Sequence, residues 1–165
     1  MAGYTLPENS KRRRDNFYRE TGAILSESGN IVRIYYGSEA SVEFNWKEVW
    51  ALHELSPGSV FEFAHTHPPD MGSLSQTDIG MLKDWVKVLH PFPVRMSVCS
   101  YVNGRDWQYC RWVAMEVDGE FFLSREIKTT RKKDDFPHVI NTLILGSTLK
   151  KQETINEHRE EVSKQ

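Results

Sequence analysis

The chain is expected to fold as an α/β domain, a single-domain mixed β-sheet flanked by helices. Three observations point there. Apolar alternation of period two and apolar spacing of period three to four follow one another along the sequence. The pairs Asn103-Gly104 and Asp118-Gly119 separate three consecutive strand-like runs, as hairpin turns do. Two helix-like segments are bounded by capping residues and by proline. Taken in order, ETGAILSESGNIVRIYYGS reads as a hairpin. Ala23, Ile24 and Leu25 lie in one arm, Ile31, Val32, Ile34 and Tyr36 in the other, and Ser28-Gly29-Asn30 turns the chain. Residues 45–55 read as a helix with Asn45 and Glu48 as its capping pair and Trp46, Val49, Trp50 and Leu52 as its apolar face. Pro57-Gly58 ends it. SVFEFAHT reads as a strand, and residues 75–89 as a helix with Ile79, Leu82, Val86 and Leu89 on one side. Strands are expected at 93–102, 107–117 and 120–127, and a last helix from about Asp135 carries Val139, Ile140, Leu143 and Ile144. The expected order is β-β-α-β-α-β-β-β-α.

With 165 residues, the chain suits one domain and one core. Residues 1–16 form a polar tail whose run Lys11-Arg12-Arg13-Arg14 reads as a solvated segment, residues 17–145 form the domain, and 146–165 form a charged helix or tail. The formal net charge of -2 gives no bulk attraction to nucleic acid or to a membrane surface, so neither is expected as a partner. No stretch is apolar enough to span a bilayer, and the basic N-terminal residues have no apolar run behind them. A cytoplasmic location is therefore expected. Cys99 and Cys110 are too few for a disulfide framework and lack zinc-knuckle spacing; one cross-strand bridge is conceivable.

The informative stretch is AHTHPPDMGSLSQTD, residues 64–78. Residues i and i+2 of a strand share a face, so His65 and His67 project together and can reach one cation. Pro68 stops the strand just beyond them. The helix that follows begins at Ser75 and carries Asp78 in its first turn, where a carboxylate can swing towards both imidazoles. Two His and one Asp leave one position of a tetrahedral zinc open, as catalytic sites do and structural sites do not. Singly, each part has a plainer reading. A lone His-x-His is more often no ligand pair, and Ser75-x-x-Asp78 alone is a helix cap.

His65-x-His67-Pro68, six residues, then Ser75-x-x-Asp78 resembles the signature of the JAMM (MPN-plus) metalloprotease family. Five fixed residues at fixed spacing arise by chance in such a chain about once in 10⁵. The resemblance covers roughly residues 17–145 and implies a cytidine-deaminase-like mixed sheet. It implies Zn²⁺ held by His65, His67 and Asp78 with a water as fourth ligand. The family's first-strand glutamate is matched by Glu20, in Glu20-Thr21-Gly22-Ala23-Ile24-Leu25, more loosely than the zinc motif. Many members carry glycines where this chain has Ala23 and Ser26-Glu27. Glu27, Glu43 and Glu62 are rivals, and Glu62 alternates away from His65.

The resemblance implies amide hydrolysis. Glu20 serves as general base and then general acid, and the Ser75 hydroxyl either caps the helix or donates to the oxyanion. The implied substrate is a protein, at the C-terminal tail of a ubiquitin-like or sulfur-carrier protein, cut as a peptidase, isopeptidase or deubiquitinase-like enzyme would. Other readings are a non-catalytic scaffold module, a phage tail or cell-wall peptidase, and a RadC-like protein. The last usually has Asn between its histidines and Ser-Gly after the Pro, where this chain has Thr66 and Pro69-Asp70. His53, His90, His138 and His158 are read as exposed or capping groups, and the five tryptophans mostly as core.

Overall fold

A computed structural model describes residues 16–39 and 41–150. The basic run Lys11–Arg14, His158 and nearly all of both tails lie outside the described residues. Along the chain the elements are β1 (Asn16–Tyr18), β2 (Thr21–Leu25), β3 (Ile31–Tyr36), α1 (Trp46–Leu55), β4 (Glu62–Thr66), α2 (Gln76–Leu89), β5 (Val94–Val102), β6 (Asp106–Val117), β7 (Glu120–Arg131), a 3₁₀ turn (Lys133–Asp135), α3 (His138–Ser147) and β8 (Thr148–Lys150). Six strands form one mixed sheet in the order β3-β2-β4-β5-β6-β7, and β1 pairs with β8 in a separate ribbon. The α/β expectation holds at that level. The ribbon was not anticipated, and it draws residues 148–150 back against 16–18 where the sequence suggested a projecting tail.

Helices cover both faces of the sheet. On one side, Ile24, Phe63, Met96 and Ala114 pack against Val49 of α1 and Leu82, Val86 and Leu89 of α2. On the other, Ala23, Ala64 and Cys99 meet Leu143, Ile140 and Ile144 of α3. β4 alternates between the two layers, and all five of its residues are buried. β4 and β5 run parallel, joined by α2, whereas every other pairing in the sheet is antiparallel. The β4-α2-β5 crossover is what positions the site. It returns the start of α2 to the carboxyl end of β4, where open α/β sheets bind ligands.

The turn dipeptides do what their chemistry suggests. Asn103, Gly104, Asp118 and Gly119 all have positive φ, 54°, 67°, 53° and 81°, the backbone that tight hairpin turns require; the register leaves three loop residues between β5 and β6 and two between β6 and β7. β7 runs to Arg131, four residues past the expected end, and β4 starts at Glu62 rather than at Ser59. Trp85 is core, but Trp46 and Trp50 are 60% and 38% exposed, so α1 buries chiefly Val49. Cys99 and Cys110 are free thiols. They are paired in register with Tyr109 and Val98, so they face opposite sides of the sheet and cannot bridge. No described helix is long and apolar enough to cross a membrane.

Candidate metal centre

His65 is the fourth residue of β4, and His67 follows the strand's last residue. The His67 N–H still bonds the Cys99 carbonyl at 2.9 Å, so both imidazoles leave the same edge of the strand end. Helix α2 begins opposite them. Ser75 caps it with a full capping box: Ser75 Oγ accepts from the Asp78 N–H at 3.1 Å, and Asp78 Oδ2 accepts from the Ser75 N–H at 2.9 Å. The box holds the Asp78 carboxylate back over the helix start, towards the histidines.

The three ligating atoms converge. His65 Nε2 and His67 Nε2 are 2.9 Å apart, and Asp78 Oδ2 lies 3.3 Å from the first and 3.2 Å from the second. A tetrahedral cation bonded at about 2.0–2.1 Å holds its ligands about 3.3 Å apart, so the triangle has nearly the required size. The proton count fits as well. His67 Nδ1–H donates to the Met71 carbonyl at 2.9 Å, which leaves a lone pair on Nε2 of the neutral ring. His65 Nε2 lies within hydrogen-bond distance of that lone pair and of Asp78 Oδ2, so one cation could meet all three atoms at a single point. His65 Nδ1 is buried with no hydrogen-bond partner among the described residues. Burial raises the Asp78 carboxyl, but hydrogen bonds from His65 and His67 outweigh it and hold the group well below the usual carboxylate range. Burial lowers the His67 imidazole, and contact with Asp78 reverses that into a net rise. Both shifts describe a carboxylate and an imidazole that attract positive charge. These three residues could hold a metal ion, and they form the one such group of His, Cys, Asp and Glu among the described residues.

Glu20 sits just before β2. The β2–β4 register pairs Gly22 with His65, and continuing it by two residues on each strand sets Glu20 across from His67. Its backbone is fixed by bonds to Ser38 and Gly37, at 2.7 Å each, and its side chain is buried. Burial pushes the carboxyl up to about 7; His67 opposes this and Asp78 adds to it. Of the rivals, Glu27 and Glu43 are exposed. Glu62 is buried on the opposite face of β4, where Ser97 and Tyr109 donate to one oxygen and Arg111 lies 3.4 Å from the other. His53, His90 and His138 take no part in the metal-ligand group.

The loop from Pro68 to Leu74 supplies a support that sequence reasoning missed. The Asp70 N–H bonds the Tyr101 carbonyl at 2.8 Å, and the Met71 N–H the Pro68 carbonyl at 3.2 Å. Gly72 lies so close to β6 that an added Cβ would stand 2.3 Å from Gln108 Oε1. This packing aims the Met71 carbonyl at His67. Carbonyl roles leave no residue signature; Gly72 was the one available hint. A cleft of about 470 Å³ opens beside His67, between Pro69 and the aromatic pair Tyr101–Trp107.

No protein-family model matches the chain, and no curated protein matches it either.

Proposed function

We propose that the protein is a zinc-dependent amide hydrolase of the JAMM type, acting as a peptidase or isopeptidase on the C-terminal tail of a ubiquitin-like or sulfur-carrier protein. The convergence of His65 Nε2, His67 Nε2 and Asp78 Oδ2 within 2.9–3.3 Å carries the reading. Two imidazoles and one carboxylate suit zinc in preference to calcium or magnesium, which take mostly oxygen ligands. The sheet order, with its histidines at the end of β4 and its Ser-x-x-Asp at the start of α2, supports the JAMM assignment, as does the sequence pattern.

A zinc ion at this centre would acidify a water and polarise the amide carbonyl. The chain supplies the rest. Glu20 is buried beside the ligands, close enough to feel His67 and Asp78, and its carboxylate takes the proton that the attacking water loses. It then passes that proton to the departing amine. Burial holds its affinity for a proton near neutrality, and a nearby dication would pull it down again, favouring the base form. The Ser75 hydroxyl oxygen is used as the helix cap, accepting from Asp78 N–H. Its own proton remains for donation to the oxygen that gains charge as the carbonyl becomes tetrahedral. The two roles are therefore compatible.

The test is Glu20→Gln, assayed on a panel of ubiquitin-like fusions and isopeptide conjugates with chelated protein as control. The variant should retain zinc one to one and lose about 10²–10⁴-fold in turnover. Parent-like activity would show that Glu20 is not the base. Absence of stoichiometric zinc in the parent would remove the proposal altogether.

A further inference from the structure

We propose that the cleft beside His67 receives an aromatic or large aliphatic side chain of a peptide substrate, close to the metal-ligand group. The inference rests on the hydrolase reading above and adds a substrate class to it. Three observations carry it. The first is position: His67 belongs to the metal-ligand group and also lines the cleft, so an occupant touches the ring that holds the cation. The second is the lining. Trp107 and Tyr101, with ring centroids 5.4 Å apart, form one wall, and Ile144 and Leu145 of α3 form part of the rest. At about 470 Å³ the space is of ligand-pocket size, and its apolar walls suit a ring or a branched chain far better than glycine. The third is a pair of polar groups. Tyr18 also lines the cleft, its hydroxyl buried close to Thr66. A peptide carbonyl or amide entering the cleft would give that hydroxyl a further partner. Lys133 stands in the lining too and makes no ion pair among the described residues. It gives the pocket a positive charge that favours an acidic neighbour over a basic one on the substrate.

Apart from His67, the pocket is lined by the β1 end, Pro69, the β5–β6 hairpin, the 3₁₀ turn and α3, none of which contributes a metal ligand. Selectivity and chemistry can therefore be separated by experiment. The zinc-loaded full chain, ¹⁵N-labelled, is titrated with N-acetyl-L-phenylalaninamide and with N-acetylglycinamide. The Trp107 indole signal, assigned by its loss in Trp107→Phe, is the reporter. The aromatic amide should shift it in a saturable way, binding about tenfold or more tightly than the glycine amide. Leu145 is 56% exposed, so Leu145→Glu should fold. It should weaken the aromatic amide about tenfold while zinc uptake stays intact. N-acetyl-Phe-Asp amide should bind several-fold more tightly than N-acetyl-Phe-Lys amide, and Lys133→Glu should invert that order. Equal shifts by the glycine and aromatic amides, or none by either, would overturn the pocket and leave the zinc centre standing. Saturable aromatic binding by a parent that takes up no zinc would overturn the hydrolase reading, and with it the occupant's place in a substrate.

Discussion

β4 carries buried polar side chains on both of its faces, and the two sets are built on opposite principles. Glu62 faces α3 and is satisfied: Ser97 and Tyr109 donate to one carboxylate oxygen and Arg111 approaches the other. Arg111 is held in turn by Glu126, which also binds Arg95. Three residues along, His65 faces the other way and meets His67 and Asp78, with its own Nδ1 unpartnered among the described residues. One cluster balances donors against acceptors; the other gathers two imidazoles and a carboxylate that could hold a metal ion. A buried charge with its partners present is architecture. A convergence of three ligating atoms could hold a metal ion.

The contrast predicts opposite responses to truncation. Glu62→Ala should destabilise the protein by about 3 kcal/mol or more, because the Tyr109 and Ser97 hydroxyls and the Arg111 guanidinium lose a buried acceptor together. His65→Ala in the metal-free protein should cost far less than Glu62→Ala, since the groups it leaves behind, His67 and Asp78, still partner one another at 3.2 Å. Urea unfolding of both variants in chelator checks this. Equal losses would mean that the His65 cluster is as well satisfied as the Glu62 cluster.

Metal addition sharpens the same comparison. Zinc at a hundredfold over its dissociation constant should stabilise the parent by about 2.7 kcal/mol. His67→Ala should lose that gain, whereas Glu62→Gln should keep it. A thermal-shift titration reads both. An undiminished gain in His67→Ala would place the ion elsewhere on the molecule.

Proton binding offers a third contrast. The Glu20 carboxyl is raised from an ordinary 4.5 to about 7, so the folded state binds its proton more tightly than the unfolded chain does. Its stabilisation is complete below about pH 4.5 and is lost as pH rises through about 7. The raised His67 acts in the same sense, while Asp78 acts in the opposite one at pH values well below this window. Metal-free protein should therefore lose on the order of 2 kcal/mol between pH 5 and pH 8. Glu20→Gln should flatten most of that slope, as zinc should by favouring the carboxylate. A parent slope that the Gln variant leaves unchanged would assign it to other groups.

The candidate metal centre was legible in the sequence because its geometry is local. His65 and His67 are set by the two-residue period of a strand, and Asp78 by a helix cap with its own signature. The six-stranded sheet was legible for a similar reason: Asn103-Gly104 and Asp118-Gly119 impose turns whatever surrounds them. What escaped depends on residues far apart in the chain. The β1–β8 ribbon joins two three-residue strands, too short to display a period. The exposure of Trp46 follows from where α1 lies on the sheet, which its own spacing does not reveal. The Glu62 cluster draws on β4, β5 and β6, and the cleft beside His67 on both ends of the described chain. Alternation did foretell that Glu62 turns from the histidines, although not that it finds three partners there.

Ser75 gives the smallest effect and the finest discrimination, because its two roles act on different observables. As a cap, its oxygen accepts the Asp78 N–H, and Ser75→Ala should cost about 1 kcal/mol of stability. As an oxyanion donor, its proton acts only in the transition state, so the loss falls on kcat and not on KM. Ser75→Asp restores an acceptor at the cap but supplies no donor at neutral pH. It should regain part of the lost stability and none of the turnover. Turnover that recovered along with stability would reduce Ser75 to a helix cap, leaving the oxyanion to the cation alone.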